Sequence, residues 1–218
     1  MGTISADTFR RLYLLYVLAQ FPRGSFGLKR LHKVAYIPER DRESVRPFEF
    51  KKHLYGQYSE SLDDIKDQLI SMGYVAAVPL DTAVVASLDL PGGGNRFFVT
   101  ERSNLPLYRQ LLVGVSSGLP GLIDRAVREY GYKREKELVA LCYEFPEFAA
   151  AKEGDVIFES NLPEHIDVNL SDDECEDLEL SLKPELVIPM VRLAEALDET
   201  DLDWNKVQEV ERLPVPGS

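Results

Sequence analysis

Cysteine, histidine and tryptophan are scarce in this 218-residue chain, which has two cysteines, three histidines and one tryptophan. Cys142 and Cys175 lie far apart outside any CxxC or Cys/His pattern, so two free thiols are expected rather than a disulfide or a metal site. His32, His53 and His165 are each isolated in the sequence. With no GxSxG or HExxH pattern either, the sequence predicts no metal, no cofactor and no enzymatic activity.

Long apolar runs are also missing. No stretch approaches the roughly 18 apolar residues that a membrane span requires, and the N-terminus has no signal-peptide pattern. The pattern therefore predicts a cytoplasmic protein without a membrane partner.

Positive charge is in deficit, with 25 lysines and arginines against 37 acidic residues and a formal net charge of -12. This balance disfavours nucleic acid and anionic membranes, which attract cations, and suits a basic protein partner. The deficit is uneven: residues 1–58 carry 11 cations and 5 acids, whereas residues 153–218 carry 4 cations among many acids. We predict two parts, a body over 1–152 and an acidic C-terminal extension over 153–218.

The first half of the chain alternates helical and β patterns. Apolar spacing predicts a helix over DTFRRLYLLYVLAQ, capped by Asp7, and a second over FGLKRLHKVAYI, capped by Ser25 and ended by Pro38, with Lys29, Arg30 and Lys33 facing away from its apolar stripe. PFEFKKHLY alternates as a short strand with Phe48, Phe50 and Leu54 on its apolar side. Residues 39–46 read as a charged loop, and a third helix follows over 60–72. That helix has Ser59 as its cap and Gly73 as its stop.

Two β-rich runs, VAAVPLDTAVVASL and RFFVTE, are joined by DLPGGGN and predict a hairpin with a glycine-rich tip. Helix, helix, strand, helix and hairpin is the order of a winged-helix unit, with the hairpin as the wing. The predicted fold is therefore mainly α with some β (α+β), built on a winged-helix-like core. Because the glycines connect two strands instead of a strand and a helix, they do not form a phosphate loop.

Further helices are predicted over NLPLYRQLLVGV, LPGLIDRAVREYG and REKELVALCYEF. Residues 152–183 read as loops or short strands with little helical periodicity. Two last helices are predicted over 184–198 and 202–213. An exposed apolar stripe on the first of these would favour either a homodimer or docking of the tail on the body.

The third helix has the length of a DNA-reading helix, but its charges are mostly acidic. Carboxylates oppose binding beside phosphates, so the helix is a poor reader. A basic patch elsewhere could contact phosphate or pair with the acidic tail, and it consists of Lys29, Arg30, Lys33, Lys51, Lys52 and Arg96. Tyr55 and Tyr58 bracket Gly56, where they either pack the corner of the fold or contact a partner.

GLKRLHKVAYI followed by FEFKKHLYGQYSESLDDIKDQLISMGYV resembles the pattern of the Panacea (SocA-like) antitoxin domain and the related YwgA-like family, over roughly residues 8–150. RFFVTE and CYEFPEFA resemble later segments of the same pattern. Gln57 and His32 depart from it, where those families usually have proline and glutamine. The matching positions are Leu31, Lys33, Tyr55, Gly56, Tyr58 and Ser59.

The resemblance implies a non-enzymatic module that neutralises a toxin by direct contact or delivers it to a protease. Together with the charge pattern, it predicts an antitoxin-like or adaptor-like protein that binds a basic partner such as a toxin. The predicted partner-binding residues are Tyr55, Gly56, Tyr58, Ser59, Glu60, Asp63, Asp64 and Asp67. The alternative is a winged-helix transcriptional regulator that binds DNA through its basic N-terminal half.

Overall fold

The computed structural model describes residues 2–21, 25–40, 45–79, 96–100 and 102–182, and it combines helices with small antiparallel sheets in an α+β fold. The helices are α1 (Ala6–Ala19), α2 (Leu28–Arg40), α3 (Glu60–Ser71), α4 (Leu105–Val115), α5 (Leu119–Tyr130), α6 (Glu135–Glu144), α7 (Pro146–Ala150) and α8 (Asp172–Ser181). The strands are β1 (Gly2–Ser5), β2 (Ser25–Phe26), β3 (Phe50–His53), β4 (Gly56–Tyr58), β5 (Val75–Pro79), β6 (Arg96–Thr100), β7 (Val156–Phe158) and β8 (His165–Val168).

Helix α1 is the centre of the core. Its residues from Leu12 to Ala19 are all buried, because α3, α4, α5 and the β6 strand pack around it. A helix that is apolar on every side is stable only when it is enclosed in this way. The predicted cap, Asp7, is wrong: Ser5 caps α1, and its hydroxyl accepts a hydrogen bond from the Thr8 amide.

Helix α2 begins and ends elsewhere than the sequence pattern predicted. Ser25 is not its cap but lies in β2, where it pairs with Phe98 of β6, and the helix starts at Leu28. Pro38 does not end it, since the helix continues to Arg40. A proline in the last turn removes one backbone hydrogen bond there, and the last turn tolerates that loss better than the middle of the helix does.

The predicted hairpin is present as the antiparallel pair β5 and β6, in register from Val75 opposite Thr100 to Pro79 opposite Arg96. Strand β2 adds to the other side of β6, which gives the sheet order β2-β6-β5. The predicted glycine-rich tip falls within 80–95, outside the described residues.

The segment predicted as one strand over PFEFKKHLY forms β3 and then turns back at Leu54 and Tyr55 into β4. Strand β7 pairs with the other edge of β3, so the second sheet has the order β4-β3-β7. Leu54, predicted on the apolar side of the strand, is instead 57% exposed at the turn. Helix α3 follows within the predicted limits, with Ser59 as its cap, and this prediction is confirmed.

The three helices predicted after the hairpin are confirmed as α4, α5 and α6. Residues 152–183 contain the expected short strands, β7 and β8, but also the helix α8, which the sequence reading missed. The helices predicted over 184–198 and 202–213 lie outside the described residues.

Residues 153–182, predicted as the start of the acidic extension, are joined to the body at two places. Strand β8 pairs with β1 along its whole length, from Ser5 opposite His165 to Gly2 opposite Val168. Strand β7 completes the β3 sheet, and α8 packs on β1. The boundary predicted at 152/153 therefore lies between elements that share one core. No described helix has the length and apolar character needed to cross a bilayer.

Candidate functional site

The β3–β4 hairpin is the most constrained part of the candidate site. Gly56 has a φ of +106°, a conformation that L side chains rarely adopt. A Cβ atom there would lie 2.9 Å from Cε of Lys33 and 3.3 Å from Sγ of Cys142. Both the turn and the close approach of α2 and α6 therefore require glycine at this position.

A buried histidine connects this hairpin to α3. His32 of α2 is 2% exposed, and its Nδ1 accepts a hydrogen bond of 3.2 Å from the Ser59 amide. Because the amide can only donate, Nδ1 carries no proton, and Nε2–H is left to donate to Oδ1 of Asp63 at 3.3 Å. Both ring nitrogens are thus engaged in fixing the start of α3.

Asp63 serves the same network. It accepts a hydrogen bond of 3.0 Å from the Tyr58 hydroxyl and lies 3.2 Å from Nζ of Lys66. Burial alone would raise the pKa of Asp63, but His32, Lys66 and Tyr58 outweigh burial and lower that pKa to about 2. Burial and the hydrogen bond to Asp63 raise the pKa of Tyr58 to about 12. Asp63 and Tyr58 therefore help to fix the start of α3, and their role in partner binding stays a prediction.

Three predicted carboxylates remain on the outer face of α3. Asp64 is exposed, and the side chains of Glu60 and Asp67 are 70% and 69% exposed. Nearby cations compensate them in part, since Lys51 lies 3.7 Å from Glu60 and Lys66 lies 3.1 Å from Asp67. The outer face of α3, defined by Glu60, Asp64 and Asp67, is thus an acidic surface.

Beside the acidic face lies an apolar patch that sequence reasoning found only in part. Leu54 and Tyr55 at the hairpin turn are 57% and 48% exposed, and Tyr143 of α6 is 46% exposed. The Tyr143 hydroxyl donates to the Leu54 carbonyl at 2.9 Å, and the Lys29 ammonium lies 4.1 Å from the centre of the Tyr55 ring. We call Leu54, Tyr55 and Tyr143 the hairpin patch.

Tyr55 was predicted as a contact residue, but Leu54 and Tyr143 were not. Leu54 was assigned to the buried side of a strand because the turn after it was not recognised. Tyr143 lies in the CYEFPEFA segment, 88 residues from Tyr55 along the chain. No local pattern indicates that Tyr143 reaches the turn at Leu54.

The predicted basic patch does not exist as one surface. Arg30 and Lys33 are 5% and 2% exposed, because α5 and α6 pack on the side of α2 that was predicted to face solvent. The others are engaged individually: Lys29 with Glu135, Lys51 with Glu49 and Glu60, and Lys52 with the carbonyls of Phe148 and Ala151. For Arg96 the structure describes its backbone in β6 and nothing of its side chain.

Lys33 is part of a small polar cluster beneath the hairpin. It meets Cys142 and Gln57, which are each 2% exposed, around Gly56. Burial lowers the pKa of Lys33 and raises that of Cys142, so the surroundings disfavour charge on both groups. A thiol with a raised pKa is a poor nucleophile. This cluster therefore packs the hairpin against α2 and α6.

A second histidine, His53, lies near this network. His53 and Tyr58 have ring centres 5.8 Å apart, so His53 comes near the network of His32, but His32 has no free nitrogen with which to act as a base. Among the described residues, no group of three or more His, Cys, Asp or Glu side chains could hold a metal ion.

Gly56 and Ser59, both predicted in partner binding, are buried. Gly56 shapes the turn, and Ser59 caps α3 through its hydroxyl, which accepts from the Leu62 amide at 3.2 Å. Of the predicted partner-binding residues, those on the surface are Tyr55, Glu60, Asp64 and Asp67.

Comparison with known proteins adds no precedent for this arrangement: no protein-family model matches the chain, and no curated protein or solved structure is detectably similar to it. The likeness to the Panacea and YwgA-like patterns therefore stays a prediction from the sequence motifs.

Proposed function

We propose that this chain is a non-enzymatic protein-binding module, antitoxin-like or adaptor-like, that holds a basic protein partner against its acidic face. The observation that carries the proposal is the hairpin patch beside the outer face of α3. Tyr55 and Glu60 are separated by the three residues of β4 and by Ser59, and three strand residues span about 10 Å. One partner of modest size can cover both surfaces.

The two surfaces have complementary roles in such an interface. Exposed tyrosines supply large contact areas at a low entropic cost, and they are frequent among the residues that dominate binding energy. The ring of Tyr55 is already positioned over Lys29, and Tyr143 is held by its hydrogen bond to Leu54, so less order must be gained on binding. The carboxylates of α3 add long-range attraction for a cationic partner and exclude anionic ones.

This proposal keeps the scaffold predicted from the sequence. The sheet order β2-β6-β5, with α1, α2 and α3 preceding the hairpin strands, supports a winged-helix-like core into which the β3–β4 hairpin is inserted. In this scaffold α3 takes the place of the DNA-reading helix. Its exposed acids make a protein partner the better match, and they suit a basic toxin of the kind that the Panacea resemblance implies.

The alternative of a DNA-binding regulator rests on the same sheet order. It must then rely on cations other than the predicted basic patch, because Arg30 and Lys33 are buried. A fluorescent DNA duplex titrated at two salt concentrations tests it. Tight, strongly salt-dependent binding would favour the regulator over the protein-binding module.

The proposal is tested by charge reversal on the acidic face. Protein carrying Asp64→Lys and Asp67→Lys is compared with the wild-type chain for capture of small basic proteins from nuclease-treated lysate, followed by titration with the purified partner. We expect affinity to fall at least tenfold at low salt, and the difference to narrow as salt screens the charges.

A matched control carries Glu176→Lys and Asp177→Lys, an equal change of charge on exposed residues of α8. This control should retain the partner. Equal retention by both double variants at moderate salt would place the interface elsewhere and overturn the proposal. Loss of the captured material on nuclease treatment would instead favour the DNA-binding alternative.

A further inference from the structure

Helix α4 has a composition that is unusual for a helix at a protein surface. Its sequence, LPLYRQLLVGV, contains one charged residue, Arg109. The inner side buries Tyr108, Leu111 and Leu112 against α1 and α5. A helix that is apolar on both sides is normally enclosed, and a surface helix normally has charges opposite its core side.

The outer side of α4 is exposed and without charge. Leu107 is 48% exposed and Val113 is 44% exposed. At 100° per residue, the exposed uncharged positions cover a continuous arc of about 120° on the helix. They are Pro106, Leu107, Gln110, Val113 and Gly114. This set of five residues is called the outer face of α4.

The part of the chain that contains α4 carries an excess of positive charge, although the chain as a whole is acidic. Residues 102–136, which contain α4 and α5, carry seven cations and three acids. By contrast, residues 183–218 carry four cations and eight acids. A segment from this last part of the chain is therefore complementary in charge to the segment that contains α4 and α5.

The described chain ends on elements that are connected to α4 through the β1–β8 pair. Leu182 is 3% exposed and follows α8, which packs on β1; β1 pairs with β8, and β8 packs on α4. The loop after β8 approaches α4 closely, since a Cβ on Gly114 would lie 3.5 Å from the Asn169 amide nitrogen. The segment that follows Leu182 therefore leaves the body from elements that pack on one another and on α4.

The segment that follows has the matching sequence pattern. Leu186, Met190, Leu193 and Leu197 recur at intervals of four, three and four residues, the spacing of an apolar helical stripe. Glu185, Glu195, Asp198 and Glu199 flank this stripe with negative charge. The segment thus offers an apolar side for the outer face and acids that complement the excess of cations in residues 102–136.

From these observations we infer that the outer face of α4 is the docking site for this chain's own residues 184–198. Docking within one chain needs little intrinsic affinity, because the connection at Leu182 holds the segment at an effective concentration on the order of millimolar. This surface is separate from the hairpin patch. Strand β4 of the hairpin packs on α2 and α6, whereas α4 packs on α1 and α5. The inference therefore stands or fails independently of the proposed partner binding.

Site-specific photocrosslinking in the full chain tests the inference. Val113 is replaced by the photoreactive amino acid p-benzoylphenylalanine, the purified protein is irradiated, and the crosslinked peptides are identified by mass spectrometry. We expect crosslinks to residues 184–198 within a single chain, with a yield that does not change on about 100-fold dilution, since a tethered segment is insensitive to protein concentration.

Val156 is the matched control, because it is also a valine and is 43% exposed on β7, away from α4. The same photoreactive substitution at Val156 should give no crosslink to 184–198. Adding Leu186→Asp and Leu193→Asp to the Val113 variant should abolish its crosslink, while circular dichroism checks that the body remains folded.

Two results would overturn the inference. A crosslink between two chains that weakens on dilution would make the outer face a self-association surface. If position 113 crosslinks to residues 184–198 no more than position 156 does, this segment does not dock on the outer face of α4.

Discussion

Gly56 fixes the geometry of the hairpin through two separate physical effects. Its positive φ excludes a side chain without strain, and Lys33 and Cys142 fill the space where a Cβ would lie. Gly73, after α3, also has a positive φ, of +79°, but nothing lies within 4 Å of a Cβ placed there. Alanine substitutions at Gly56 and Gly73 therefore separate the cost of backbone strain from the cost of overpacking.

We predict that Gly73→Ala lowers the free energy of unfolding by about 1 kcal/mol, the cost of a left-handed backbone for alanine. Gly56→Ala should cost about 2 kcal/mol more, because overpacking adds to backbone strain. Urea unfolding of both variants measures the difference. Equal costs would mean that α2 and α6 adjust to the added methyl group without penalty.

His32 makes the stability of the folded protein sensitive to acid. Burial lowers its pKa below the ordinary value of 6.5, so the unfolded chain takes up a proton at a higher pH than the folded one. Stability from this group is therefore fully present above about pH 6.5 and declines as pH falls. The pKa of Asp63 is lowered from 3.8 to about 2, so this group causes a second loss of stability as the pH falls from 3.8 to about 2.

We predict that the free energy of unfolding of the wild-type chain falls from about pH 7 to pH 5, with a slope of at most about 1.4 kcal/mol per pH unit from this one proton. His32→Gln should be less stable at pH 7 and should flatten this part of the curve. The exposed His53, changed to glutamine, should leave the slope unchanged. An unaltered slope in the His32 variant would assign the acid sensitivity to other groups.

A carboxylate of α8, Glu179, ties this helix to the start of α1. Glu179 accepts hydrogen bonds from the Ser5 amide, from the Ser5 hydroxyl at 3.2 Å and from the Thr8 hydroxyl at 2.7 Å, all at the start of α1. A carboxylate at a helix N-terminus also interacts favourably with the positive end of the helix dipole. Glu179 thus stabilises α1 and holds α8 at the same time.

We predict that Glu179→Ala lowers stability by about 2–3 kcal/mol, since it leaves several donors without their charged acceptor. Amide hydrogen exchange should accelerate most in α8. Glu176, exposed on the same helix, provides the control, and its change to alanine should alter stability by less than about 0.5 kcal/mol. Similar effects of both changes would show that helix propensity, and not this contact, sets the stability of α8.

At the element level, the sequence predicted those helices whose ends carry clear signals. Ser59 and Gly73 delimit α3, and Pro106 and Pro120 lie in the first turns of α4 and α5. Helix α8 was missed because its apolar residues are few, although Ser171 and Glu174 form a capping box that can be read in the sequence. A helix held by a tertiary carboxylate contact does not need a wide apolar stripe.

The site was less predictable than the fold, and the reason is distance along the chain. The acidic face of α3 is local, and its exposed positions followed from helical spacing. The burial of Lys33 was not local, because α5 and α6, which cover it, come about 90 to 110 residues later. Periodicity in one helix indicates one apolar side and cannot show that a second side is covered.

At the scale of the whole molecule, the described part of the predicted extension, residues 153–182, shares its core with the body. One cysteine on each side of the predicted boundary is buried: Cys142 in α6 is 2% exposed, and Cys175 in α8 is 4% exposed. We predict that both thiols react with a thiol reagent at the same urea concentration, the midpoint seen by circular dichroism, because the described elements unfold together.

Single-cysteine variants, Cys142→Ala and Cys175→Ala, assign the two reactions. Earlier reaction at Cys175 would indicate that α8 and the strands before it form a separate, weaker unit. Coincident transitions would support one cooperative body that includes residues 153–182.

The pairing of β1 with β8 has a consequence for the synthesis of the protein. Gly2 faces Val168, so β1 cannot pair until β8, the last of the described strands, has been made. At roughly 5–20 residues per second, the delay is on the order of ten seconds or more. During that time α1 cannot bury all of its apolar sides, and the nascent chain presents the surface that chaperones recognise.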